Sequence, residues 1–329
     1  MQRRTLVQSG LMACFPSCFV PAVFGQSPQK YPAGSVSVVL PLQAGSASDV
    51  AVRQFTERLA TRFGVGFVVE NVAAAAGLVG LERLSRAKPD GQTLAALNNS
   101  IVTILPHLQP QNIKVDTRQD FLPITGIANI PTFFAVPKSS SIKTIKDLLD
   151  RARKEPDRIT YSSGGVGSPQ HLATEMFKSF TGTKLVHVPY RGASQAALAV
   201  ASGEVDVMSM ALSLAQPFLQ DERIRLIGYC GVERHPQFRD IPTLQEQGVA
   251  KYDYSSWVGL FASKDTSPDI LAVLRKESEV VVNDRSFQTQ LIRSGLDPWP
   301  RNASELAKIV GADFQRWKTI ILDAKIQAK

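Results

Sequence analysis

From Ser35 onward the chain alternates strand-like and helix-like segments, and this alternation restricts the fold more than any other feature. SVSVVLP (35–41) is an apolar, β-branched run that reads as a strand. QAGSAS follows, then DVAVRQFTERLATRFG, in which Val52, Phe55, Leu59 and Phe63 recur at helical spacing and Gly64 stands where a C-cap glycine belongs. GFVVE (66–70) predicts a second strand, the segment near 78–87 a helix, and TLAAL (93–97) a third strand. A βαβαβ order implies parallel strands with helices on both faces of the sheet. The pattern resumes after about residue 132: TFFAVP, RITYSS, KLVHVPY, EVDVMSM and IRLIGYC read as strands, and ASQAALAVASG (193–203) as a helix closed by Gly203. Toward the C-terminus, DILAVLRKESEVVVND and ASELAKIVGADFQRWKTIILDA predict long amphipathic helices with little strand between them.

Two of these units are alike. Strand 35–40 runs through a Gly/Ser loop into a helix starting at about Ser48-Asp49, and strand 159–163 does the same into a helix starting at Ser168. Ligands of open α/β sheets bind at the carboxyl ends of strands, where such loops lie. Two such loops facing each other across a cleft would make a hinged clamshell.

The second loop, in ITYSSGGVGSPQHLATEMF (159–177), lacks the Gly-Lys-Ser/Thr ending of a phosphate-binding P-loop. It also fails as a dinucleotide fingerprint, because the third glycine position falls on Gln170. Ser168 suits an N-cap whose hydroxyl accepts from the His171 N–H, and Pro169 suits the first helical position. The remaining free N–H groups and the helix dipole favour an anion by about 0.3 to 2 kcal/mol. Two readings stand side by side: a carboxylate cradle, or a tight turn with a cap. His171 either donates to a carboxylate or bonds a nearby carbonyl. Ser168 and His171 within one helical turn do not make a triad, and no Asp partner is indicated, so catalysis is not expected. His107, His187 and His235 are far apart in sequence and no His-x-x-x-His pattern occurs, so neither a metal nor a cofactor is expected.

With 329 residues, 44% hydrophobic and 20% charged, the chain can build a real core in one large or two medium domains. The formal charge of +8 is scattered, with basic runs no longer than doublets, which argues against nucleic-acid binding and for a general attraction of anions. The N-terminal MQRRTLVQSGLMACFPSCFVPAVFGQS differs from the rest: two arginines, no acid, an apolar middle and small residues at its end. That is the layout of a secretory signal over residues 1–25, cleaved near Gly25, and Pro16 and Pro21 argue against a structural helix there. The Arg3-Arg4 pair matches a twin-arginine signal weakly, and the residues before Cys14 only faintly resemble a lipoprotein box. Past that segment Cys230 stands alone, so no internal disulfide is expected, and no later run reaches the roughly 18 apolar residues of a membrane span. The expected product is exported and soluble.

Several segments then resemble one family together: PLQAGSASD (41–49), VVENVAAAAGLVG (68–80), KPDGQTL (88–94), YSSGGVGSPQHLATEMF (161–177), HVPYRGASQAALAVASGEVDVM (187–208), RHPQFRDIPTLQEQG (234–248) and SSWVGLFASKDTSPDIL (255–271). From about Tyr31 to the C-terminus the chain resembles the Bug/TctC family, the extracytoplasmic solute receptors of tripartite tricarboxylate transporters. The resemblance implies an α/β fold of the type II periplasmic binding proteins, two lobes joined by a hinge with a ligand cleft between them. Residues 26–131 and 257–329 would form domain 1 and residues 132–256 domain 2, with crossings near 129–134 and 252–260. Family members bind small organic acids, one carboxylate being held by the first loop of domain 1, partly through waters, and by the glycine-rich loop of domain 2.

By position, the resemblance places ligand-binding residues at Ala44, Gly45, Ser46, Ala47 and Asp49, at Ala75 and Ala76, at Ser163, Gly164, Gly165, Val166, Gly167, Ser168 and His171, and at Tyr190, Gly192 and Asp206. Where the family usually has Pro-Gly-Gly-Gly-Thr-Asp this chain has AGSASD (44–49), and where it has Asn-Arg-Pro-Gly-Ala-Gly-Gly this chain has NVAAAAG (71–77). A Cβ in place of hydrogen narrows a pocket and penalises positive φ. For Asp206 two roles remain open, meeting a positive ligand group or bracing a loop. The implied function is non-enzymatic capture of a small organic carboxylate by a monomer, followed by docking on membrane permease subunits or a membrane sensor. Two alternatives are an exported hydrolase using Ser168 and His171, and a regulator's effector domain. The latter would need a helix-turn-helix before residue 35, where the export signal stands.

Overall fold

The computed structural model describes residues 31–323 and Ile326. The expected export signal, with Arg3, Arg4, Cys14, Cys18 and the cleavage point near Gly25, lies outside the described residues. In chain order the strands are β1 (Val36–Leu40), β2 (Phe67–Asn71), β3 (Thr93–Asn98), β4 (Phe121–Asn129), β5 (Thr132–Pro137), β6 (Thr160–Ser163), β7 (Val186–Pro189), β8 (Met208–Ala211), β9 (Ile224–Tyr229), β10 (Trp257–Ser263) and β11 (Asp297–Asn302). The helices are α1 (Ala47–Phe63), α2 (Leu78–Ser85), α3 (Leu105–Leu108), α4 (Ile145–Lys154), α5 (Pro169–Thr181), α6 (Ala193–Ser202), α7 (Leu212–Gln220), α8 (Pro268–Val282), α9 (Arg285–Arg293) and α10 (Ala303–Asp323), with a π-helical turn at Ser100–Ile104.

A six-stranded sheet has the order β11-β4-β10-β3-β1-β2. β1 pairs in parallel with β2 and β3, as the βαβαβ alternation requires, and its near-continuous apolar sequence fits a strand covered on both faces. β10 pairs antiparallel with both β3 and β4, and β11 antiparallel with β4, so the sheet is mixed rather than wholly parallel. The periodicity does not announce β4 or β11. β11 (DPWPRN) contains two prolines, which cannot donate to a ladder; it sits at the sheet edge with a register shift between Pro298 and Arg301. Pro123 of β4 likewise lies beside a register shift.

The remaining strands form a three-stranded antiparallel sheet, β8-β5-β9, and a parallel pair, β6-β7, joined by a bridge between Tyr161 and Val207. The chain passes from the first sheet to the second at Ile130-Pro131 and returns just before Trp257. The two crossings lie side by side, the Ile130 N–H donating to the Ser256 carbonyl at 2.7 Å.

Helix ends are set locally. Ser46, Ser168, Ser267 and Asp284 each accept a first-turn N–H, and Thr144 with Asp147 forms a capping box. Gly64, at φ 69°, closes α1 by donating to Ala60 O. Of the predicted stripe, Val52, Phe55 and Leu59 are fully buried against the six-stranded sheet, with α8 and α9 beside them, while Phe63 at the end of α1 is partly buried. The 21-residue α10 spans about 30 Å. It packs along β4 and then buries Trp317 and Ile321 in the core that holds Tyr161, Leu172 and Phe177. This helix therefore contributes to both cores. No helix among the described residues is long and apolar enough to cross a membrane.

Candidate functional site

The two Gly/Ser loops lie opposite each other. Beyond β1, Gly45 has φ 74° and Ser46 caps α1, its Oγ accepting from the Asp49 N–H at 3.3 Å. Asp49 turns back to accept the Gly45 N–H at 2.9 Å, and also accepts from Arg53 Nε at 3.0 Å and Asn71 Nδ2 at 2.9 Å. One buried carboxylate thus ties the loop, its helix and β2 together. Beyond β6, Gly165 and Gly167 have φ 112° and 79°, conformations open to residues without a Cβ. Ser168 caps α5 by accepting from the His171 N–H at 3.4 Å, while His171 Nδ1 accepts the Gly167 N–H at 3.3 Å. Ser163 Oγ accepts the Gly165 N–H at 3.1 Å and lies 2.6 Å from His187 Nε2.

Between the loops are two cavities that share Leu42, Gln43, Gly164 and Ser168. The inner one, about 60 Å³, is where helix N-termini converge. Ser46, Ala47 and Ser48 open α1, Ser168, Pro169 and Gln170 open α5, Ala193 begins α6, and Ala211 precedes α7. The N–H groups of Ala47, Ser48, Gln170 and Ala193 are beyond intrahelical reach and find no acceptor among the described residues. Each such terminus carries roughly half a positive elementary charge. The floor comes from the crossings, through Ile130, Thr132 and Ser256. Gly164 is required by close approach: a Cβ there would lie 2.9 Å from Ala193 N and 3.3 Å from Gln170 Oε1.

The outer groove is wider, about 480 Å³, with Ala75, Ala76, Leu78 and Ile101 on one wall and Gly165, Val166 and Gly167 on the other. Ala75 (φ 51°, ψ 50°) and Ala76 (φ 56°, ψ 28°) hold left-handed conformations that cost a residue with a Cβ about 1–2 kcal/mol each. Among the described residues no charged side chain lines either cavity. The two sides touch, Ser194 Oγ donating to Gly45 O at 3.3 Å.

Behind the glycine-rich loop lies a buried polar cluster. The rings of Tyr161 and His187 stack at 4.7 Å, and those of His187 and His171 meet at 4.5 Å. Tyr161 donates its hydroxyl to Glu175 at 2.5 Å, and Lys178 pairs with the same carboxylate at 2.6 Å. Burial, and then the neighbouring His187, hold the His171 imidazole down to about 4; burial lowers His187 as well. Burial pushes Glu175 up, but the Lys178 and Tyr161 hydrogen bonds outweigh it and hold the carboxyl below its usual range. His171 is therefore neutral at ordinary pH, as an Nδ1 acceptor must be.

In sequence and fold the chain is similar to known proteins. The sequence profile of the tripartite tricarboxylate transporter family receptor, TctC, matches residues 51–326. The chain belongs to that receptor family. Among curated relatives, the UPF0065 protein in the gbd 5′ region of Cupriavidus necator is 28% identical over 324 residues, covering 98% of this chain and 97% of that one. The UPF0065 protein in the tcbD–tcbE intergenic region of Pseudomonas sp. strain P51 is 27% identical over 299 residues, covering 91% and 88%. Among solved structures, Rpa4515 of R. palustris with adipate is similar with a TM-score of 0.85 at 27% identity, covering 90% of this chain and 99% of that one. MatC (Rpa3494) from Rhodopseudomonas palustris with bound malate gives 0.83 at 25%, covering 88% and 100%.

In this TctC-family chain the residues singled out from sequence fall into three groups. Ser46, Ala47, Gly164 and Ser168 line the inner cavity. Ala75, Ala76, Gly165, Val166 and Gly167 line the outer groove, with Gly164 and Ser168 facing both. The others line neither. Ala44 is exposed, and Gly45 meets Asp49 and Ser194 through its backbone. Asp49, Ser163 and His171 are buried behind the loops that they hold. His171 therefore neither looks into the cleft nor bonds a carbonyl through Nδ1; that atom takes an N–H. Tyr190 donates its hydroxyl to Glu204 at 2.7 Å, and Gly192 precedes α6 close to Gln43. Asp206 accepts from the Thr160 N–H and hydroxyl at 2.8 and 2.9 Å. It braces the end of β6 opposite the glycine loop.

Sequence reading missed Gln43, Thr132, Gln170, Ser209 and Ser256, all on the inner wall. Gln170 carried a usable signal, since it stands between Ser168 and His171 in the first turn of a helix aimed at the cleft. Thr132, Ser209 and Ser256 carried none, because only the pairing of β8 with β5 and the folded crossings bring them there.

Proposed function

We propose that this chain is a periplasmic receptor that captures a small organic carboxylate between two lobes and hands it, as a monomer, to the membrane permease of a tripartite tricarboxylate-type transporter. The lobes are residues 26–131 with 257–329, and residues 132–256. The observation that carries this reading is the convergence of the α1, α5, α6 and α7 N-termini on one cavity free of charged side chains. Oriented N–H groups and helix dipoles stabilise an anion away from water, where charge-assisted hydrogen bonds are strong. Ser46, Ala47, Gly164 and Ser168 surround the carboxylate, and Ala75, Ala76, Gly165, Val166 and Gly167 shape the approach to it. Asp49, Ser163, His171, Tyr190 and Asp206 act by holding those loops.

Capture needs no chemical step. Ser168 meets His171 through the backbone N–H rather than the ring, and the closer pair, Ser163 and His187, is built around a serine with no solvent exposure. A sensor in place of a permease would use the same capture step.

The test is a titration of the purified protein with a panel of organic acids, followed by tryptophan fluorescence. Trp257 begins β10 next to Ser256 of the cavity floor, donates to Asp313 at 2.7 Å and stacks on Trp299 at 5.5 Å, so closure is expected to move its signal. Saturable responses to carboxylates but not to the matching amides are expected; no response to any carboxylate would sink the reading.

A further inference from the structure

We infer that Gln170 is a specificity-determining residue, and that it selects a carboxylate carrying an uncharged hydrogen-bond donor, a hydroxyl or a neutral N–H, close to its carboxyl group. This deepens the proposed carboxylate capture and rests on it. Gln170 is the second residue of α5, and only 8% of it is exposed. Its Oε1 is buried without a hydrogen-bond partner among the described residues, in a side chain that lines the inner cavity. A buried amide oxygen without a donor is costly, and folded proteins rarely leave one so. The space beside it is kept open by Gly164, whose absent Cβ would stand 3.3 Å from Oε1 and 2.9 Å from Ala193 N. An acceptor and the start of a helix thus border one small space.

The position of Gln170 in the chain sets where on the ligand the donor must be. Its Oε1 and the Ala193 N–H flank one point beside Gly164, 3.3 and 2.9 Å from it, so the amide is close to an N–H group that would hold the carboxylate. The donor is therefore on the carbon bearing the carboxylate or on the next one. Of the other hydroxyls of the wall, Ser256 Oγ donates to Asn99 Oδ1 at 3.0 Å and Thr132 Oγ1 to Ile130 O at 3.2 Å, while Ser209 Oγ, like Gln170 Oε1, is buried without a hydrogen-bond partner among the described residues. Gln170 differs from it in standing in the first turn of α5, beside the Ser168 cap.

Charge then separates the possible donors. A protonated amine would satisfy Oε1, but among the described residues no Asp or Glu lines the cavity to balance it, and the converging helix N-termini repel a cation. A hydroxyl meets no such penalty. The cavity of about 60 Å³ has room for roughly two water volumes, which suits a carboxyl group with one small neighbouring substituent, the rest of the acid extending into the outer groove.

Matched probes test this. Binding of propanoate, lactate and alanine, and of succinate, malate and aspartate, is measured by calorimetry on the wild type, Gln170→Leu and Gln170→Glu. Circular dichroism and melting confirm that each variant folds. In the wild type the hydroxy acid is expected to bind at least tenfold tighter than its unsubstituted partner, with the amino acid weakest. Gln170→Leu should reduce the hydroxyl preference below threefold, by weakening the hydroxy acid more than its unsubstituted partner. Gln170→Glu should shift preference toward the amino acid, a change that a merely structural role would not produce. If unsubstituted and hydroxy acids bind the wild type equally, the role of Gln170 is overturned and carboxylate capture stands. If no carboxylate in this set or the wider panel binds, capture itself fails and takes this inference with it.

Discussion

The two loops that face the cavity share one device built from different chemistry. Each has a glycine at positive φ, Gly45 at 74° and Gly167 at 79°, then a serine N-cap, and three residues later a side chain that folds back to accept that glycine's N–H. In the β1–α1 loop the acceptor is the Asp49 carboxylate, shared with Arg53 and Asn71; in the β6–α5 loop it is the neutral Nδ1 of His171. Both locks leave the neighbouring first-turn N–H groups free to face the cleft. The difference lies in what each needs: the first relies on a charge balanced by neighbours, the second on a ring kept uncharged by burial.

Breaking the first lock is expected to have the largest effect. Asp49→Ala takes the acceptor from the Gly45 N–H, leaves Asn71 Nδ2 with Leu42 O alone and removes the carboxylate from the half-exposed Arg53, and the lost charge-assisted hydrogen bonds should cost about 3 kcal/mol of stability. Urea unfolding would measure it; a loss below about 1 kcal/mol would mean that the loop holds itself.

Acid should open the second lock. The folded protein holds the His171 pKa at about 4 against an ordinary 6.5, so the unfolded chain takes up the proton first as pH falls. The stabilisation is complete above pH 6.5 and is lost as pH falls toward 4, up to about 3 kcal/mol, with His187 acting in the same direction. Urea midpoints should fall more steeply over this range in the wild type than in His171→Gln. Parallel profiles in the two proteins would contradict the lock.

Relief of strain is expected to act in the opposite sense. Ala75→Gly and Ala76→Gly should each stabilise by up to about 1 kcal/mol, because glycine occupies the left-handed region freely, less its greater entropy when unfolded. Melting temperatures check this, and a fall in either variant would show that the methyl packing outweighs the strain.

The smallest contrast compares the caps. Ser46→Ala and Ser168→Ala should each cost about 1 kcal/mol, since each hydroxyl accepts one first-turn N–H. Unequal losses would show that one hydroxyl does more than cap its helix.

The sequence by itself determined the parallel core β1–β3, the α1 stripe and the Ser168 cap, whereas α1 begins at Ala47 with Ser46 as its cap, a little before the expected start at Ser48-Asp49. Such features depend on neighbours a few residues apart, and hydrophobic period and capping chemistry express them locally. It also pointed to the residues of the two loops, because a Gly/Ser loop entering a helix is a local signature. Tertiary structure alone decided that β10 returns antiparallel between β3 and β4, and that a proline-bearing segment serves as edge strand β11. Pairing partners far apart in sequence leave no local period. It likewise decided which loop residues face the cleft and which hold it from behind. Asp49, His171 and Asp206 have the chemistry of ligand-contacting residues, yet their acceptor atoms are engaged by backbone and side-chain donors. The rest of the inner wall was invisible for the same reason: Thr132, Ser209 and Ser256 come from three separate segments, and only the β5–β8 pairing and the two crossings bring them into the wall that holds Gln170.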